Sequence, residues 1–456
     1  MSQGRVAIVG GGLAGLAAAV ECLDLGASVT LYEARSRLGG ATFSFDRKGL
    51  WLDNGQHVAL RCCTAYVAFL RRLGVEHLLP FQPRLRVPVL RGNGRPGLLS
   101  RTALPAPLHL AGTLLRYAPL GMSERLAAAR ASMALRKLDP DDPSLDERTF
   151  TDWLSEHGQS PNAIASLWNL IALPTLNLPA DEASLAGAVR VFRTGLLDSN
   201  DACDIGIPAV PFVQLHAEPA VEAIEQAGGT VLTSAPVRSV TARHRVVHDG
   251  GTDDAEAVIL AVPHDAVAAV APPGLVDLDA LEALGTSPIV NVHVHYDRRV
   301  LDEPLAAAID ANVQWIFDRT EAAGAREGQV VAVSLSHAVD EIGASVDEVS
   351  GRCLPALQRL LPRARDARVL DLAVTHEPRA TFRAAPGTRR LRPGTRTGLD
   401  GIYLAGAWTD TGWPATMEGA VRSGVAAARA AVAGLPGMTV AEAPAVAEAA
   451  RSRGRA

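Results

Sequence analysis

Aromatic residues are scarce in this chain: nine Phe, six Trp and five Tyr make up 4% of 456 positions. So few rings leave no apparent aromatic cage of the kind that holds an amine. Cysteine is scarce too. Cys22, Cys62, Cys63, Cys203 and Cys353 include no C-x-x-C pair. That argues against a disulfide framework and for reduced, mostly buried thiols in a cytoplasmic, reducing compartment. No apolar run approaches the ~18 residues of a spanning helix. Forty-four Lys and Arg against 49 acids give a net charge of −5, so nothing overall suggests nucleic acid. No Ser-His-Asp set, kinase-type phosphate loop or internal repeat stands out. His293 and His295 alternate onto one strand face but lack a third ligand, so no metal site is expected. No targeting leader is expected before structure begins at Arg5.

What is present begins at once. Arg5 to Val9 reads as a buried parallel strand, and Gly10, Gly12 and Gly15 follow in G-x-G-x-x-G spacing. Leu16 to Leu25 reads as a helix and Ser28 to Tyr32 as the next strand, ending in Glu33. The first glycine permits a tight turn, the second lets backbone approach a pyrophosphate, and the third lets helix and strand pack closely. Leu13 and Ala14 belong to the same loop, where unpaired N–H groups and the positive end of the helix dipole face phosphate. Glu33, 18 residues past Gly15, stands where a carboxylate accepts both ribose hydroxyls.

The run Glu33-Ala34-Arg35, then Arg37-Leu38-Gly39-Gly40, resembles the glycine-doublet flavoproteins, the superfamily of amine oxidases, phytoene desaturases and protoporphyrinogen oxidase. The resemblance implies FAD rather than NAD, with Ala34, Arg35, Gly39 and Gly40 as cofactor neighbours. Ala41 stands where many relatives carry arginine. Near the other end, Leu404-Ala405-Gly406-Ala407 precedes Pro414-Ala415-Thr416-Met417-Glu418-Gly419. Thr416 is a good N-cap. The resemblance implies Thr416, Met417 and Glu418 as flavin neighbours at a helix N-terminus, Gly406 beside the ribityl chain, and Val237 as a backbone contact to adenine. Ala407 replaces the usual aspartate that bonds a ribityl hydroxyl, and Asp410 is the candidate substitute.

The pattern predicts an α/β protein: a discontinuous Rossmann-like FAD-binding domain with an inserted α+β substrate domain. Residues 1–61, 207–284 and 396–434 make the first. Residues 62–206, mainly helical in pattern, and 285–395 make the second. In the latter, strands Ile289–Tyr296 and Gln329–Ser334 are covered by a helix Val346–Leu361. Residues 435–456 read as a disordered tail.

Leu52-Asp53-Asn54-Gly55-Gln56-His57-Val58, Cys63-Thr64-Ala65-Tyr66, Leu173-Pro174-Thr175-Leu176-Asn177 and Trp408 to Gly424 resemble the hydroxysqualene dehydroxylase family, the squalene-associated FAD-dependent desaturases. That resemblance implies reductive removal of hydroxyl from hydroxysqualene, a C30 isoprenoid, to give squalene for hopanoid synthesis. Loss of water from an allylic alcohol leaves a delocalised cation that accepts hydride, and an acid must protonate the leaving oxygen. His57 and Asp53 are the first candidates for that acid and Asp410 the next. A backbone-bonding role for His57 and a turn or capping role for Asp53 stand beside this. A carotenoid-type desaturase and a non-catalytic flavin-bound isoprenoid carrier are the alternatives.

Between Phe81 and Lys137 lie ten basic residues and one acid, Glu124, among many leucines. This reads either as a surface for the inner, anionic face of a membrane or as a helix with an arginine-rich solvent face. Isoprenoid synthases are the protein partners that such a location implies.

Overall fold

The computed structural model describes residues 4–438. The tail beyond 438 lies outside the described residues. Leu435, assigned to that tail, is 4% exposed and packs on Gly4, so the core reaches further than composition suggested.

Five strands form one parallel sheet in the order Ile402–Leu404, Ala257–Leu260, Arg5–Val9, Ser28–Tyr32, Thr230–Leu232. All three expected segments contribute to it. A parallel sheet must be covered on both faces. One face carries the helices Leu13–Asp24 and Met417–Ala433. They approach so closely at Gly424 that a Cβ there would lie 2.1 Å from the carbonyl oxygen of Ala14. The other face carries the meander Val237–Val240, Arg245–His248, Gly251–Asp254 and two short helices at 267–270 and 278–283. The first helix begins at Leu13, three residues before the sequence pattern suggested. Loop glycines therefore lead straight into helical N–H groups.

A second, seven-stranded sheet runs in the order Val369–Phe382, Thr286–Tyr296, Gln329–Ser336, Trp315–Asp318, Leu305–Ile309, Arg86–Arg91, Gly97–Ser100. Thr286–Tyr296 and Gln329–Ser336 pair antiparallel, as expected. The helix Val346–Leu360 covers them, with Val349, Cys353 and Leu357 buried against the sheet.

Two features go beyond the expectations. The first insertion is not only helical, because its hairpin Arg86–Ser100 joins this sheet and pairs in parallel with Leu305–Ile309. Val87 and Val89 alternate inward there, but flanking arginines shorten the signal. The strand Val369–Phe382, 14 residues long, was not foreseen. It is an edge strand with a register shift beside Pro378, and proline tolerates only such places in a sheet.

Asn177 is one of the residues that fasten the helical part of the insertion. It ends the helix Asn169–Leu176 in a left-handed conformation, φ 53°. Its Nδ2 donates to Ser287 O at 3.0 Å, and its Oδ1 accepts from His337 N at 2.6 Å. The motif Leu173–Asn177 is thus a joint between layers.

Candidate active site

The two glycine motifs make one backbone cradle. Gly39 N donates to Gly11 O at 2.9 Å, and a Cβ on Gly40 would sit 2.8 Å from Gly12 Cα. A Cβ on Gly15 would lie 1.9 Å from Gly10 O. A Cβ on Gly12 would meet only Gly40, at 3.6 Å, so that side is otherwise open. No side chain caps the helix at Gly12, which leaves the N–H groups of Leu13, Ala14 and Gly15 free for an anion. Glu33 stands at the rim, its carboxylate accepting from Gly11 N at 2.7 Å and Arg35 N at 2.8 Å. Ala235 N bonds Glu33 O at 2.9 Å, which brings the approach to Val237 alongside the ribose end. Ala34 and Arg35 are exposed. Arg37, which sequence reasoning did not assign, lies over the Phe43 ring at 3.2 Å beside the doublet and is the nearer cation where Ala41 supplies none. Next to this track, a cavity of about 470 Å³ is lined by Arg37, Leu38, Ser44, Val213 and Ala217.

At the opposite end Thr416 caps its helix, its Oγ1 accepting from Gly419 N at 3.2 Å. The N–H groups of Met417 and Glu418 remain without an intrahelical partner, as positions one and two of any helix must. The Glu418 side chain has a separate role. It is 1% exposed and accepts from Ala65 N at 3.0 Å, Tyr66 N at 2.7 Å and Arg422 Nε at 2.7 Å. Its carboxylate caps the helix Thr64–Arg72, so only its backbone is left for a flavin.

The loop joining Gly406 to Thr416 is held by Arg392, which no sequence motif marks. Its guanidinium donates to the carbonyls of Ala407, Trp408, Thr409 and Trp413. Burial pushes its pKa down to about 10. Gly406 N bonds Ser423 Oγ at 2.8 Å, which ties strand end to helix. Asp410 is exposed and accepts from Gly412 N at 3.2 Å in a local turn, which corrects its candidacy as the proton donor.

Asp53 and Asn54 also prove to be joints. Asp53 is 4% exposed and accepts from Ser44 Oγ at 2.6 Å, Phe212 N at 3.1 Å and Arg319 Nη2 at 2.9 Å. Burial raises its pKa, and the Arg319 guanidinium pulls against that rise. A carboxylate with every partner fixed in the scaffold has no oxygen left for a substrate, so Asp53 is corrected from proton donor to anchor. Asn54 donates to Ala41 O and Glu377 Oε1, both at 3.0 Å, and its carbonyl accepts from Asn291 Nδ2 at 3.0 Å and Thr375 Oγ1 at 2.7 Å. Together these two residues nail the first sheet's loop to the second sheet.

His57 differs, because its Nδ1 is buried and has no partner, as are Gln56 Nε2 and Asn291 Oδ1. The His57 ring and the Asn291 amide meet at Gly55, where a Cβ would lie 3.2 Å from the first and 3.3 Å from the second. Phe212 packs edge-on to His57 at 5.2 Å and to His216 at 5.4 Å. His216 sits in a π-turn, Val213–Ala217, of the sort frequent at functional sites. Burial lowers the pKa of His57 to about 4, of His216 to about 3 and of His293 to about 4. All three are neutral at pH 7, so His57 is not an imidazolium acid in the resting protein.

Each folded value lies below the unfolded value of about 6.5. The unfolded chain therefore binds more protons between about pH 6.5 and 4, and stability falls as pH falls through that window. The expected loss is on the order of 1 kcal/mol per pH unit per histidine. Melting of the FAD-loaded protein at several pH values checks this; a midpoint flat down to about pH 4.5 would contradict it.

Residues 13–432 match the model of the flavin containing amine oxidoreductases. The chain belongs to that family and is an FAD-dependent oxidoreductase. Within it, the chain is 29% identical to hydroxysqualene dehydroxylase of Sinorhizobium fredii over 93% of this chain and 97% of the relative. It is 30% identical to that of Rhodopseudomonas palustris over the same shares. The 15-cis-phytoene desaturase of Synechococcus elongatus is 24% identical over 94% and 96%. Among solved structures, putrescine oxidase superposes with TM-score 0.72 at 22% identity, over 94% of this chain and 98% of that one. No helix among the described residues is long and apolar enough to cross a membrane.

Proposed function

We propose that the protein removes the allylic hydroxyl of hydroxysqualene reductively and releases squalene and water. The observation that carries this is the meeting of two polar side chains, His57 and Asn291, at Gly55. Each keeps a buried polar atom without a partner, His57 Nδ1 and Asn291 Oδ1, which one small hydroxyl could satisfy in a largely apolar interior. A desaturase breaks C–H bonds and offers such groups nothing to bind. FAD, once bound and reduced, supplies a hydride equivalent. In balance, the alcohol's C–O bond breaks, a C–H bond forms, and two electrons and two protons are consumed. His57 hydrogen-bonds the leaving oxygen and relays to it a proton taken up from solvent as the alcohol binds, returning to its neutral form, while Phe212 keeps water from the developing cation. Arg392 and Glu418 fix the loop and helix end that face the reacting carbon. The likeness to hydroxysqualene dehydroxylases along nearly the whole chain supports the same reading.

The test is anaerobic. Photoreduced holoprotein should convert hydroxysqualene to squalene, and His57→Phe should slow this about 10²–10⁴-fold with FAD retained. Desaturation of phytoene or squalene by oxidised protein, with the alcohol untouched, would overturn the proposal in favour of a desaturase. Tight lipid binding without turnover would overturn it in favour of a carrier.

A further inference from the structure

Large apolar side chains facing water are unevenly distributed. Seven of the thirteen in the described chain fall between Leu98 and Met133. Met122, Leu126 and Met133 are 59%, 49% and 45% exposed and recur at helical spacing along the helix Met122–Leu135. The opposite face of that helix, at Ala127, Ala128, Ala131 and Leu135, is already buried. The helix is thus apolar on two sides, and the outer side has no partner in the described chain. Just before it, Leu108 and Leu115 are 57% and 54% exposed on the turn and helix spanning 108–116.

Unpaired charge on this face has one sign. Arg116, Arg130 and Lys137 are exposed and pair with no carboxylate among the described residues. Glu124, the one acid of the stretch, is spent on Gly121 N, Ser160 Oγ and Asn162. Arg101 does not belong to the face. Its side chain is 9% exposed and grips Asp204 at 2.6 and 2.7 Å. Arg125 is likewise turned onto the carbonyls of Leu115 and Leu120.

We propose that this helical face, 104–137, docks on an anionic lipid bilayer. Leucine and methionine enter the acyl boundary while Arg116, Arg130 and Lys137 meet the phosphates. A protein partner would be expected to find tryptophan or tyrosine anchors, and the face exposes none. A second copy would set the same three cations against themselves with no unpaired acid within 104–137 to answer them. The chain leaving the helix is pinned at Pro140 and Asp141 by Arg389 and Arg190, beside the cleft that reaches Trp413 and Pro414. The face therefore ends at the edge of the flavin-end loop. Docking stands independently of the chemistry proposed above.

The test uses FAD-loaded protein and vesicles of phosphatidylcholine with or without about one-third phosphatidylserine. Protein should sediment with the anionic vesicles only and be released by salt. Arg116→Gln/Arg130→Gln/Lys137→Gln should bind on the order of a hundredfold more weakly. Met122→Ser/Leu126→Ser/Met133→Ser should lose binding with flavin absorbance intact. Wild-type protein that ignores anionic vesicles, or serine variants that bind undiminished, would overturn the proposal. A concentration-dependent dimer dissolved by the same serines would also overturn it and assign the face to a second copy.

Discussion

Arg319→Met should destabilise the protein by about 3–5 kcal/mol, because it leaves the Asp53 carboxylate buried and uncompensated. The pair is 2.9 Å apart, with both side chains nearly sealed from water, at 6% and 2% exposure. Asp53→Asn should cost a comparable amount through the stranded guanidinium. The double variant Asp53→Asn/Arg319→Met should lose less than the sum of the two, since neither charge then remains and the Asn oxygen still accepts from Ser44 and Phe212 N–H. Urea unfolding of the holoprotein measures all three. A catalytic Asp53 predicts the contrary pattern of unchanged stability, lost turnover and no rescue by the second change. Arg319 also donates to Pro208 O and to Val210 O, so part of its cost persists in the double variant.

Gly12→Val should abolish stoichiometric FAD and with it the yellow colour, yet leave a folded apoprotein. A Cβ there would make only ordinary contact, 3.6 Å from Gly40 Cα, so a valine collides with no backbone at its Cβ but fills the approach of the pyrophosphate. Gly15→Val provides the contrast. Its Cβ would collide with Gly10 O, so it should lower stability as well as FAD content. Absorbance of the bound flavin and melting of the apoproteins separate the two outcomes. Retention of full FAD by Gly12→Val would remove the phosphate-loop assignment.

The part of the site that could be read from sequence is the part made of backbone. A cradle for pyrophosphate needs glycines at fixed spacing, a free helix N-terminus and an acid one strand later, all within about 30 residues. Those constraints are local, so Gly10 to Gly15, Glu33, Gly39-Gly40 and the Thr416 cap stand where the pattern put them. Side-chain roles were less legible. Asp53, His57, Asp410 and Glu418 have the residue types of acids, bases and ligands, but type alone does not say which way a side chain turns. Glu418 turns to a helix 352 positions away. Arg392 carries the flavin-end loop from an unremarkable loop of its own. The strand Val369–Phe382 was hidden by charges and a proline that only an edge position allows.

The sequence by itself thus determined a dinucleotide cradle, its FAD character and a parallel sheet assembled from three segments. Those depend on the conformations each short stretch can adopt. Only the tertiary structure decided that Asp53 and Asn54 bind two sheets together, that His57 and Asn291 meet with unpartnered polar atoms, and that Arg101 is withdrawn from the exposed helical face. Each outcome depends on a partner more than 100 positions away, such as Arg319, Glu377, Thr375 or Asp204. Whether a buried carboxylate is an acid or an anchor is settled by which hydrogen-bond donors the fold brings to it.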